Sequence, residues 1–213
     1  MNLTKLKSAQ TYADNTKAIL SISSAVTGFT ENFPAFLTDF SQNFQSNWST
    51  EEVYGRNDPI ATFQGTKRTI SLAFDIPSIH AEDAKSNLLK TSNLIKMLYP
   101  GYIDVTENDN NKKKTVIGSV MAKSPLVKVK FANLIVSQSG KDGLLGWISS
   151  INWKPNLEMG MFAKDGKFYP KVISITFELN VLHRDKLSQG RKATGDVNTW
   201  LGGSADTRFP FGG

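Results

Sequence analysis

The chain has 213 residues, a formal net charge of +6, no cysteine, 39% hydrophobic residues and 10% aromatics. This is ordinary globular composition, long enough for one domain with a substantial core, and it excludes disorder, a disulfide frame and thiolate chemistry. No apolar run reaches the length of a membrane span, the N-terminus lacks the apolar core of a secretion signal, and the lysines are mostly dispersed.

Residues 1–30 are polar with a weak helical pattern and read as an N-terminal arm; 31–187 read as the domain and 188–213 as an extended C-terminal tail. In 33–56, Phe36, Phe40, Phe44 and Trp48 fit either a helix face or a strand face. Pro34 and the Ser, Thr and Asn content favour strands with a turn near Ser41-Gln42-Asn43 and the aromatics in the core. Val53 to Ile60, with Gly55, Arg56, Asn57, Asp58 and Pro59, is an ordered loop. Arg56 and Asp58 would clamp that loop or pair with a neighbouring chain.

Thr69 to Ile76 alternates strictly, with Ile70, Leu72, Phe74 and Ile76 against Ser71, Ala73 and Asp75. A helix is predicted from Ile79 to Leu98, capped by Ser78, with Ala81, Ala84, Leu88, Leu89, Leu94, Ile95 and Leu98 as its apolar stripe and Pro100-Gly101 as its stop. It would cover the apolar face of the sheet. Residues 104–123 read as a polar loop around a short hairpin, with Lys112-Lys113-Lys114 at its tip. Val127, Val129 and Phe131 mark a third alternating strand, and Gly143 to Trp153 a fourth. Gly160 to Gly166 is a turn-rich connection. Ile173 to Val181 holds a period of two over nine residues, with Ser174, Thr176, Glu178 and Asn180 on its wet side. The fold class is therefore α+β, an antiparallel sheet with one principal helix packed on it.

Chemistry finds no foothold in these residues. His80 and His183 are the only histidines and lack metal-ligand spacing. Gly140 to Gly146 resembles a phosphate loop only in its glycines, because it lacks the Lys-Ser/Thr that opens a helix. No serine occupies a nucleophile elbow. Glu51-Glu52 reads as a solvated turn, and Asn47-Trp48-Ser49 is a glycosylation acceptor only in a secreted chain. The chain is not expected to be an enzyme or to hold a cofactor or metal. Asp75 and Glu178 on the wet face argue against sequence-specific nucleic-acid binding.

The order of parts resembles the tube-initiator or hub proteins of contractile bacteriophage baseplates, which share the tail-tube fold. The resemblance is carried by Val53-Tyr54-Gly55-Arg56-Asn57-Asp58-Pro59-Ile60, Arg68 to Pro77, the helix ending in Leu98-Tyr99-Pro100, Ser124 to Phe131, and Tyr169-Pro170-Lys171 through Arg184. It implies a tail-tube-like β-barrel or sandwich and a homohexameric ring in the virion, at the baseplate of the tail, assembled in the host cytoplasm. It implies other hub and tail-tube proteins as partners, a tape-measure protein in the lumen, and DNA passing during ejection. Ser71, Asp75, Ser174, Thr176, Glu178 and Asn180, with Ala73, would line the channel. Arg56, Asp58, Trp200, Phe209 and Phe211 would serve interfaces with neighbouring chains. The major tail-tube protein is the alternative within this class. A monomeric carbohydrate-binding module using Trp147 and Trp153, which share parity, is the alternative outside it.

Overall fold

The computed structural model describes residues 19–34, 36–108, 114–137, 142–183, 188–190 and 199–201. Its body is a seven-stranded antiparallel sheet built from β1 (Ile19–Ser24), β2 (Thr30–Pro34), β3 (Phe36–Glu51), β4 (Ile60–Pro77), β7 (Val127–Phe131), β8 (Leu144–Pro155) and β11 (Val172–Val181). The strand order is β2-β1-β7-β8-β11-β4-β3. One helix occurs among the described residues, α1 (Ala81–Lys96), so the chain is α+β. Two hairpins stand outside the sheet, β5 (Gly101–Asn108) with β6 (Lys114–Lys123) and β9 (Met161–Lys164) with β10 (Lys167–Pro170). A short pair, β12 (Ser188–Gly190) and β13 (Thr199–Leu201), completes the set.

The sheet folds over on itself. Strands β2 and β3 lie at its two ends yet are separated by one residue in sequence, so the chain itself ties the ends together. Leu20, Ile22, Phe33, Val127 and Val129 on one half face Ile70, Leu72, Phe74, Ile76, Ile173, Ile175, Phe177 and Leu179 on the other, all essentially buried. Phe74 joins the halves, with its ring 5.9 Å from Phe33 and 6.2 Å from Phe177. The period of two produces this arrangement, because each strand offers one apolar face and the only dry place is between the halves. Strand β8 passes from one half to the other at Gly146, which pairs with Val127 on one side and Val181 on the other. A Cβ there would lie 2.3 Å from the carbonyl oxygen of Asn180.

Several sequence expectations need correction. The stretch read as an arm contributes β1, whose Leu20 and Ile22 are fully buried. No turn interrupts 41–43; β3 is continuous over 16 residues. Its ladder to β4 satisfies the backbone through the Ser and Asn residues, which overrides their weak strand propensity. Phe36, Phe44 and Trp48 are exposed rather than core. The segment 104–123 is a two-stranded ribbon, not mainly loop. The connection before β11 is a hairpin turning at Asp165-Gly166, both at positive φ as a tight two-residue turn requires.

The helix is shorter than expected and rotated. Its N-cap is His80, with no side-chain capping bond, while Ser78 Oγ accepts from Asn87 Nδ2 at 3.0 Å. The buried face is Ala84, Asn87, Thr91 and Leu94, and Leu89 and Ile95 are exposed. Only Leu94 and Met97 reach the core cluster. The helix packs instead on β2, where Asn93 Nδ2 donates to the buried Glu31 at 2.8 Å, and on the β9–β10 hairpin, where Lys164 pairs with Glu82. The apolar face of the sheet is covered mainly by the sheet's other half.

Candidate functional site: a four-stranded polar face and its two edges

Strands β3, β4, β11 and β8 form one broad four-stranded face on the outside of the body. The register brings the expected lining residues together in rows. Ser174 stands between Asp75 and Lys154, Thr176 between Ala73 and Asn152, Glu178 between Ser71 and Ser150, and Asn180 between Thr69 and Trp147. Strand β3 extends the rows with Asp39 beside Ala73, Ser41 beside Ser71 and Asn43 beside Thr69. All six residues singled out from the sequence, Ser71, Asp75, Ser174, Thr176, Glu178 and Asn180, therefore share one contiguous surface. The β3 and β8 contributions were missed because neither strand alternates cleanly in sequence.

The surface is mostly small, polar and acid-leaning, with two exposed aromatics at its margins, Phe36 beside Asp75 on β3 and Trp147 beside Asn180 on β8. Asp39, Asp75 and Glu178 face one ammonium, Lys154, along the rows. Ser174 Oγ donates to Asp75 Oδ1 at 2.6 Å, and Thr69 Oγ1 donates to Asn180 Oδ1 at 3.4 Å. These cross-strand bonds hold the polar groups flat against the sheet. No large apolar side chain projects along β4 or β11 on this side.

Two sides of the face end the described sheet. Among the described residues no strand is hydrogen-bonded to the outer side of β3, and none to the outer side of β8 beyond Gly146. Long unpaired strand edges are templates for pairing with another chain. β3 and β4 also run past the body. β11 pairs with β4 only from Thr69 to Pro77, so the distal halves, about 25 Å long, form a ribbon of two strands alone.

Arg68 anchors the root of this ribbon. It is 2% exposed, its Nε and Nη2 donate to Gln42 Oε1 at 3.1 and 2.6 Å, and Gln42 Nε2 donates to the Leu134 carbonyl at 3.5 Å. The guanidinium lies 5.3 Å over the Phe44 ring. Burial pushes its pKa down to about 10. Nearby His183 is held below the ordinary 6.5, first by burial and then by the positive Arg68. The unfolded chain thus takes a proton at His183 before the folded protein does. Stability is expected to decline as pH falls below about 6.5, modestly because the ring is half exposed. Chemical denaturation at pH 7.5 and 5.5 should show the decline in the native chain and a smaller one in His183→Gln.

The remaining sequence candidates fall elsewhere. Arg56 and Asp58 lie in the exposed connection between β3 and β4, and no ion pair joins them. Trp200 falls in β13, and its side chain, like Phe209 and Phe211, lies outside the described residues. Trp147 and Trp153 do not make a platform. A bulge at Ser149 reverses the parity of β8, placing Trp147 opposite Asn180 on the polar face and Trp153 opposite the core residue Ile175. Among the described residues no cluster of His, Cys, Asp or Glu could hold a metal, and no helix is long and apolar enough to cross a membrane. No protein-family model matches the chain, and no curated protein matches its sequence.

Proposed function

We propose that this protein is a structural virion component, a ring-forming hub or tube-initiator protein of a contractile phage baseplate. The observation that carries the reading is the four-stranded polar face, whose β3 side and distal β8 side carry no further strand among the described residues. An edge of one copy completes the edge of the next, and the apposition of two different edges is heterologous, which closes into a ring when the rotation closes. Six copies, the number the resemblance implies, would supply 24 strands and a barrel roughly 50 Å across at the backbone. Closure removes the exposed edges. The rows from Asp75–Ser174 to Thr69–Asn180 then line the bore.

The chemistry of that lining suits passage without capture. Phosphate binding draws on lysine and arginine, and a lining mostly of Ser, Thr, Asn and carboxylates, with Lys154 as the one cation in its rows, offers DNA little counter-charge. The protein acts by shape, without turnover, beside other hub and tube proteins and around the tape-measure protein before DNA enters. A major tail-tube protein would use the same face in many stacked copies.

Electron microscopy of the purified full-length chain tests the reading. Rings with a central hole are expected, and a protein that stays monomeric at high concentration sinks it. In phage, Ser174→Lys with Thr176→Lys is expected to leave ring assembly intact and cut infectivity at least tenfold by slowing DNA passage. Unchanged infectivity would remove this face from the bore.

A further inference from the structure

The two strands that bound the polar face carry opposite charge. β3 holds Asp39 and Glu51 and no cation, and Lys154 is the one charged residue of β8. Asp39 and Lys154 both stand on the polar side, since Asp39 pairs with Ala73 and Lys154 with Ser174. Both are exposed. Neither has a hydrogen bond or ion pair among the described residues, whereas Asp75 takes the Ser174 hydroxyl. Within one copy β4 and β11 lie between them, three strand spacings or about 14 Å, so they cannot meet.

Behind these charges each edge is apolar. Leu37 and Phe40 of β3, and Ile148 and Ile151 of β8, pack against the core yet stay partly exposed. Phe44 and Trp153 share that side, opposite Arg68 and Ile175, and are 44% and 37% exposed. The two edges are therefore built alike in layers and unlike in sign. Each presents one charge toward the polar face and a strip of rings and aliphatic side chains on the other side.

We propose that where the β8 edge of one copy meets the β3 edge of the next, Lys154 pairs with the neighbour's Asp39 over a dry strip made by Phe40 and Phe44 of one copy and Ile151 and Trp153 of the other. The occupant is a second copy of this chain, and the inference rests on the ring reading above. Parity restricts the register to even steps, because a slip of one residue would turn the apolar strip onto the polar face. With the rows of the two copies in step, Lys154 stands opposite Phe36 and diagonal to Asp39. A slide of two residues toward Ser41 sets it opposite Asp39, and a slide of four sets it diagonal again. Opposite and diagonal neighbours are both within reach of a lysine side chain. A closed barrel needs its rows to climb from copy to copy, and this pair gives the climb its direction, from Phe36 toward Ser41. It also selects the joint. Two β3 edges offer each other only carboxylates and two β8 edges only ammonium groups, so the unlike joint, which can close a ring, is the one favoured.

Exchanging the two charges in the full chain tests the pair, with rings counted by microscopy across a concentration series. Asp39→Lys alone and Lys154→Asp alone are each expected to raise the concentration at which half the chain is in rings by about tenfold or more, because like charges then face each other at every seam. The double variant, Asp39→Lys with Lys154→Asp, rebuilds the pair in reverse and should return that concentration to within about threefold of the native value. Urea midpoints measured below ring-forming concentrations should match the native chain, since both positions are exposed. If a reversal lowers the midpoint, Asp39→Asn and Lys154→Gln carry the same comparison with a smaller rise. Single variants that form rings as readily as the native chain, or a double variant no better than the singles, overturn the pair and leave the ring reading intact. A native chain that forms no rings overturns both.

Discussion

Phe74→Ala is expected to remove about 4 kcal/mol of folding stability, more than any other single truncation in the body. The ring is fully buried and touches Phe33 from one half of the folded sheet and Phe177 from its own. Truncation leaves a cavity where Phe33 of β2 leans on β4, and neither half can collapse into it without breaking its ladder. Urea denaturation of the variant, with Phe168→Ala as an exposed control costing under about 0.5 kcal/mol, checks this. A loss below about 1.5 kcal/mol would mean the halves are not pressed together through this residue.

Gly146→Ala is expected to cost about 3 kcal/mol by the opposite route, overpacking. The added methyl would stand 2.3 Å from the Asn180 carbonyl oxygen and 3.0 Å from a Leu179 methyl. The first obstacle is backbone, so a rotamer change cannot relieve it. The β8–β11 ladder must part where β8 changes halves. The same variant shifts the Asn180 row of the polar face, so it should lower ring yield along with the denaturation midpoint. Equal stability to the native chain would show that β8 has room to slide.

How much of this was legible beforehand depends on the strand. β11 and the part of β4 from Thr69 to Ile76 could be read because each alternates without a break, and once the two pair, parity puts their polar residues on one face. β7 was legible for the same reason. β3 was not. Aromatics at 36, 40, 44 and 48 satisfy a four-residue helical step and a two-residue strand step equally, and the core expectation fails because the ribbon carries Phe44 and Trp48 to the edge of the body and past it, while a bulge at Thr38 turns Phe36 to the polar side. β1 was hidden among polar neighbours, since Ile19 to Ser24 is short and its apolar members are only Ile19, Leu20 and Ile22. The helix was visible, but its buried face includes Asn87 and Thr91, which hydropathy places outside. Those two are tolerated because Asn87 bonds Pro77 and Ser78, and Thr91 bonds the Leu88 carbonyl. The β8 tryptophans could not be resolved from sequence, because one inserted residue at Ser149 decides their side.

Four strands make an even block, and that parity governs how copies can be joined. β3 and β8 run in opposite directions, so a neighbour generated by rotation alone presents its β3 antiparallel to the first copy's β8. Every seam of the proposed ring would then have the same polarity as the pairings within a copy. A block of three or five would force a parallel join at each boundary, with a different hydrogen-bond slant and weaker pairing. In the proposed ring, a variant that gains or loses one wall strand would meet that mismatch at every seam, whereas one that changes two at once would not.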